Sequence, residues 1–238
     1  MAATRTVDVT TPDGTMPVFE ATPDGEARGA VIVIQEAFGV NDHIEDVARR
    51  FADEGYHAVA PALFHRAGGG VAPYDDFSAI MPLMTGVTDD GILSDVDATI
   101  GHLRAAGFSE PSIGIVGFCM GGRVTFLVSV RRALGAGVGF YGGGITADSQ
   151  GMGESLQHEA GSLQTPWLGL FGDEDAMIPV AGVEDLRSAL GGASVPTEIC
   201  RYEGAGHGFH CDARDSYHEV SAEDGWRRTL DWFAEHLA

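Results

Sequence analysis

One cysteine framed by glycines stands where a nucleophile could act. In Gly117-Phe-Cys-Met-Gly121 the thiol of Cys119 follows an apolar run with β-branched Ile113, Ile115 and Val116, and precedes Val124, Phe126, Leu127 and Val130 at helical spacing. That pattern predicts a strand, a tight turn and a helix, with glycines removing the Cβ atoms that a sharp reversal would crowd. A thiol at a helix N-terminus feels the positive end of the helix dipole, which favours thiolate, the nucleophilic form. The same turn aims the backbone N–H of Met120 at whatever Cys119 attacks. The arrangement is the nucleophile elbow G-x-S-x-G with sulfur replacing oxygen. Cysteine is also a common buried residue, so the remaining chemistry must come from elsewhere in the chain.

Three further side chains fall at the ends of expected strands: Glu36, Asp175 and His207. In an open parallel sheet the carboxyl ends of the strands share one edge, where sites form. Nucleophile, acid and base in the order Cys…Asp…His is the order of α/β-hydrolases, in which the imidazole relays a proton and the carboxylate holds its tautomer. Asp173 and Glu174 compete with Asp175 for the acid, and His210 and His218 compete with His207 for the base. Cys200 and Cys211 lack an elbow and read as structural.

The elements that must position these groups follow from hydrophobic patterning. Thr4 to Thr10 and Thr15 to Ala21 alternate around Pro12-Asp13-Gly14 and predict an edge hairpin. Gly29 to Gln35 reads as a strand covered on both faces. Asp42 is placed to cap a helix running to Gly55, and Tyr56 to Pro61 returns as a strand, giving a parallel crossover. Residues 62–86 predict a loop region with one short helix, a segment of the kind that overhangs sites. Helix 89–106, strand 136–141, an excursion over 145–164, strand 167–171, helix 185–190, strand 197–202 and helix 222–237 complete the pattern. In the last helix Trp226, Leu230, Phe233 and Leu237 form one stripe read as core. Without a repeat or linker, residues 1–238 read as one domain.

Composition narrows the function. The 238 residues carry 35 acidic and 14 basic side chains, a formal charge of −21, and all the basic residues are arginine. Such a balance repels nucleic acid and anionic lipid and sets aside both as partners. No apolar run approaches membrane-spanning length, and the first residues lack the apolar core of a secretory signal, so a cytoplasmic location is the expectation. Three cysteines without metal-ligand spacing suggest free thiols rather than a disulfide framework or a zinc site. The expected assembly is a monomer or small homo-oligomer.

Gln35-Glu-Ala-Phe-Gly39, Gly117-Phe-Cys-Met-Gly-Gly122, Asp175-Ala-Met-Ile-Pro179 and Gly206-His207 together resemble the dienelactone hydrolases, the carboxymethylenebutenolidase family, in order and spacing over nearly the whole chain. The resemblance implies an α/β-hydrolase fold with a mostly parallel central sheet, helices on both faces and no large cap domain. It implies no cofactor, and hydrolysis of a small ester or lactone. By it Cys119 is the nucleophile, His207 the base and Asp175 its orienter, the last chosen over Asp173 partly on this ground. It also makes Glu36 a helper in deprotonating the thiol and gives Ala37 and Met120 the oxyanion-hole N–H groups.

The family's best-known members clamp a substrate carboxylate with arginines, one soon after the catalytic histidine and one in the middle loop. Here Gly208, Phe209, His210 and Cys211 follow His207, and residues 67–103 hold no arginine. Losing a bidentate arginine weakens recognition of a carboxylate, so the expected substrate is a neutral ester rather than the carboxylated dienelactone. Phe38, Tyr141 and Phe209 are the expected substrate-binding residues, with Arg66 or Arg123 as possible replacement clamps. Two alternatives remain at this stage: a hydrolase-fold protein that binds a small molecule with little or no turnover, and a redox-sensing thiol.

Overall fold

A computed structural model describes residues 2–146 and 154–238, and the middle of the 145–164 excursion lies outside the described residues. The chain forms two compact units, Met1–Gly114 and Ile115–Ala238.

In the first unit β1 (Ala3–Thr11) and β2 (Gly14–Thr22) form the antiparallel hairpin expected around Gly14. β2 pairs antiparallel with β4 (His57–Pro61), which pairs parallel with β3 (Ala30–Ile34), in the order β1-β2-β4-β3. All five residues of β3 are buried, which is why its sequence is a continuous apolar run. Between β3 and β4 runs α1 (Asp42–Asp53), capped by Asn41 rather than by Asp42: the Asn41 side chain accepts the Ile44 N–H at 3.2 Å. Asp42 takes the first helical position, where an acid suits the dipole without capping. The 62–86 region contains one short α-helix, α2 (Ile80–Met84), and two 3-10 turns, His65–Ala67 and Phe77–Ala79, beyond the single helix expected; α3 (Asp89–Ala105) follows, capped by Thr88.

The second unit takes up β5 (Ile113–Phe118) and continues with α4 (Met120–Arg131), β6 (Ala136–Phe140), β7 (Trp167–Gly172), α5 (Val180–Leu190), β8 (Thr197–Tyr202) and α6 (Glu219–His236), with strands in the order β5-β6-β7-β8. β6, β7 and β8 pair in parallel, and every residue of β5, β6 and β7 is buried. α4 is buried from Met120 through Val130, so the helix behind Cys119 is held on all sides. The Trp167 indole N–H on β7 donates to Thr125 Oγ1 on α4 at 3.2 Å.

Two helices differ from their sequence patterns. α5 begins at Val180, directly after its cap Pro179, five residues ahead of the expected start. In α6 the buried residues are Ser221, Ala222, Gly225, Thr229, Trp232 and Phe233, while Trp226, Leu230 and Leu237 are only half-buried. The cause is close packing at Gly225, where a Cβ would lie 2.9 Å from the Phe140 ring. The lack of a side chain at Gly225 therefore lets α6 approach Phe140 of β6 closely.

Candidate active site

Cys119 is the turn between β5 and α4 and the N-cap of that helix, with φ 54° and ψ −113°. A non-glycine residue there stores about 1–3 kcal/mol of backbone strain. The reversal is possible because Gly117 lies so close to Gly121 that a Cβ on it would run into the Gly121 carbonyl. The Cys119 N–H donates to the Phe140 carbonyl at 3.1 Å, leaving the thiol partly exposed. Met120 is the first residue of α4, so its N–H is one of those the helix ladder does not consume.

Asp175 lies three residues beyond β7 and is 4% exposed. Its Oδ1 accepts the Met177 N–H at 2.9 Å, which fixes the carboxylate. Its Oδ2 accepts from His207 Nδ1 at 2.7 Å. Because a carboxylate only accepts, Nδ1 carries the proton and Nε2 is the nitrogen left for the thiol. Burial alone would lower the His207 pKa, but the hydrogen bond to Asp175, with the electrostatic pull of Cys119 and Asp175, overcomes it and pushes the value up from 6.5 to about 10. The second unit thus holds His207 against Asp175 and sets Cys119 at the turn into α4.

The rival residues have other partners. Asp173 is gripped by the Arg201 guanidinium, Nε to Oδ1 at 2.7 Å and Nη2 to Oδ2 at 2.8 Å, tying the end of β7 to β8. Glu174 is exposed. His210 is buried with its imidazole stacked on Phe118, and His218 hydrogen-bonds Ser221 Oγ at 2.7 Å at the start of α6. Cys211 is buried and Cys200 partly so. Tyr141 and Phe209 are fully buried, their rings 5.2 Å apart, with the Tyr141 ring 5.2 Å from His207.

In the first unit Glu36 follows β3 and is fully buried, not a carboxylate left in water. Its carbonyl accepts the Gln35 side-chain amide at 3.3 Å, while Gln35 Oε1 accepts the Leu63 N–H at 3.1 Å. Ala37 is half-buried, and Phe38 packs edge-on against Tyr74 at 4.6 Å in a cluster with Ala72 and Ile80.

The arginines divide sharply. Arg66 is committed: Nη1 and Nη2 bind the Asp95 carboxylate at 2.6 and 2.9 Å, and Nε binds Asp13 at 2.8 Å. Arg123 is buried in α4 and donates to the Glu154 carbonyl at 3.3 Å. Arg214, which sequence reasoning passed over, lies against the backbone directly after the histidine: a Cβ on Gly208 would sit 2.5 Å from Arg214 Nη1. Gly208 has φ 83°, and the glycine pair around His207 was the available signal that something approaches closely there. Among the described residues no cluster of His, Cys, Asp or Glu could hold a metal ion, and no helix is long and apolar enough to cross a membrane.

Comparison with known proteins places the chain in a family. The model of the dienelactone hydrolase family matches residues 16–237. A Salmonella typhimurium relative is 41% identical over 229 residues, covering 93% of this chain and 83% of its own. One from Methylorubrum extorquens is 37% identical over 227 residues, covering 94% and 78%. Both are named "putative carboxymethylenebutenolidase". A crystal structure of a "putative dienelactone hydrolase" from Klebsiella pneumoniae matches 99% of both chains with TM-score 0.90 at 38% identity. The eight strands and their helices are accordingly an α/β-hydrolase fold.

Proposed function

The chain belongs to the dienelactone hydrolase family, whose members act on ester or lactone bonds, and from that membership we propose that it cleaves a small ester or lactone through an acyl-enzyme on Cys119. The observation that carries the proposal is the 2.7 Å bond from His207 Nδ1 to Asp175, together with the elbow that sets Cys119 at the N-terminus of α4. The two units act as one domain in this reading, which the family match across residues 16–237 supports.

The chemistry follows from where the proton sits. With the thiol proton on His207, the sulfur attacks the acyl carbon and the carbonyl electron pair moves onto oxygen. Met120 N–H donates to that oxyanion, and by the family resemblance Ala37 N–H is the second donor. The imidazolium then gives its proton to the departing alcohol or enol oxygen as the C–O bond breaks, leaving a thioester. Neutral His207 next takes a proton from water, hydroxide adds to the thioester, and the C–S bond breaks to release the acid and restore the thiolate–imidazolium pair. Asp175 keeps the imidazole in one tautomer throughout. Glu36, fully buried beside the Ala37 turn, is assigned by the same resemblance to help draw the thiol proton onto His207 when substrate binds.

A neutral substrate is favoured because Arg66 already binds two carboxylates and residues 67–103 offer no arginine. Cys119→Ala should remove turnover of p-nitrophenyl acetate, and retained activity in that variant would overturn the proposal. A stable acyl adduct on Cys119 by mass spectrometry, with no steady-state turnover, would instead make the protein a trap for esters.

A further inference from the structure

Tyr141 is the first residue after β6 and has φ 38°, the left-handed region that side chains avoid. The three residues that follow are all glycine, so the sequence had the residue for this turn at hand and placed a tyrosine in it. A left-handed backbone costs a non-glycine residue about 1–2 kcal/mol. Such strain persists only where the surroundings over-determine the residue, and it clusters at working sites.

The surroundings of Tyr141 are the supports of the proposed triad. Its ring centroid lies 5.2 Å from that of His207, tilted by 60°, and 5.2 Å from Phe209, nearly edge-on at 73°. On the other side Phe118, the residue before Cys119, is at 6.3 Å and Phe140 at 6.1 Å. Its backbone N–H donates to the Leu170 carbonyl at 2.7 Å, on the strand that leads to Asp175. One residue therefore touches the base, the nucleophile's strand and the acid's strand.

The bond from Nδ1 to Asp175 pins one atom of the His207 ring, and the tilt that its two side-chain torsions still allow is left to the ring's neighbours. A rigid ring lying across the imidazole at a steep angle removes that freedom. Full burial also leaves Tyr141 no surface to offer a substrate in this structure. We propose that Tyr141 is a positioning residue, a wall that sets the plane of His207 so that Nε2 faces Cys119, and that it does not read the substrate. The inference rests on the triad reading above.

Tyr141→Leu and Tyr141→Phe test it with two readouts. The first is steady-state hydrolysis of p-nitrophenyl acetate. The second is the rate at pH 7 of Cys119 alkylation by iodoacetamide, located by peptide mass mapping to separate it from Cys200 and Cys211. For Tyr141→Leu, kcat should fall about 10–100-fold with KM within about twofold of wild type, and alkylation should slow about tenfold, since misplacement by 1 Å costs up to 10²-fold. Tyr141→Phe keeps the ring and should restore both readouts. If Tyr141→Leu raises KM at unchanged kcat, the ring binds substrate and the proposal fails; it fails equally if neither readout moves. Should the melt show Tyr141→Leu unfolded, Tyr141→Met, with a more adaptable side chain, is read by the same criteria. A wild-type protein that alkylates at Cys119 yet hydrolyses no ester would overturn the hydrolase reading, while the alkylation rates would still judge Tyr141.

Discussion

The imidazole of His210 lies over the ring of Phe118, with centroids 5.0 Å apart and planes 29° from parallel. Phe140 at 4.9 Å and Trp226 at 6.2 Å close the same aromatic box. His210 thus ties the loop that carries His207 to the strand that delivers Cys119, and its ring is spent on packing. His210→Phe should keep ester turnover within about tenfold of wild type, because the stack survives. His207→Ala should lose about 10²–10⁴-fold, the usual worth of a general acid–base. The two rates, measured on one ester by stopped-flow or absorbance, separate the residues; a dead His210→Phe beside an active His207→Ala would reverse the assignment.

Asp175 and Asp173 make the same kind of comparison for the acid. Asp175→Asn keeps the shape but removes the charge that holds the imidazole, and kcat should fall about 10⁴-fold, the scale of the analogous loss in serine hydrolases. Asp173→Asn breaks a half-exposed ion pair with Arg201 and should cost about 0.2–1 kcal/mol of stability with kcat unchanged. The raised pKa of His207 adds a pH signature. A group whose pKa rises on folding contributes stability that is full below its unfolded value near 6.5 and is lost as pH climbs through about 10. Thermal melts of the wild type should therefore fall over that interval, and those of Asp175→Asn should fall less.

How far the sequence reveals the site depends on the range of the interaction. The elbow is legible because Gly117, Cys119 and Gly121 are neighbours in the chain and their spacing states the turn outright. Strands β3, β5 and β7 are legible because burial on both faces demands continuous apolar runs. The competition between Asp173 and Asp175 has no local solution: Arg201, which claims Asp173, is 28 residues away. Arg214 escapes notice because the glycines around His207 signal a close approach without saying which residue makes it. The α6 stripe misleads because large residues dominate a hydrophobic pattern, whereas Gly225 decides which face can approach Phe140.

In the first unit Glu20 on β2 is buried and accepts from His57 Nε2 at 2.9 Å and His102 Nε2 at 3.0 Å, both on Oε1, with Arg5 on Oε2. Burial by itself would raise its pKa, but these hydrogen bonds prevail and hold it at about 2. The sign is opposite to that of His207. A carboxylate lowered on folding contributes stability present above about 4.5 and lost as pH falls through about 2. Glu20→Gln should melt below wild type at pH 7, and the gap should narrow as the buffer is taken from pH 4.5 toward 2. A gap independent of pH would mean that packing around Glu20, not its charge, is what stabilises the unit.

Arg214 provides the test of how the charge of the substrate matters. Its guanidinium lies beside the backbone of Gly208, next to the base, whereas Arg66 is bound to Asp95 and Asp13. With a chain charge of −21 opposing anions and no arginine in residues 67–103, a neutral lactone should be hydrolysed with a kcat/KM higher than that of its carboxylated analogue. Raising salt should narrow the gap by screening the repulsion, because the Debye length falls from about 10 Å at 0.1 M to about 3 Å at 1 M. Arg214→Ala should leave the order of the two substrates unchanged if the arginine serves the loop rather than the ligand. If the carboxylated lactone proves the better substrate in the wild type and loses that advantage in Arg214→Ala, then Arg214 holds the carboxylate and the neutral-substrate reading is wrong.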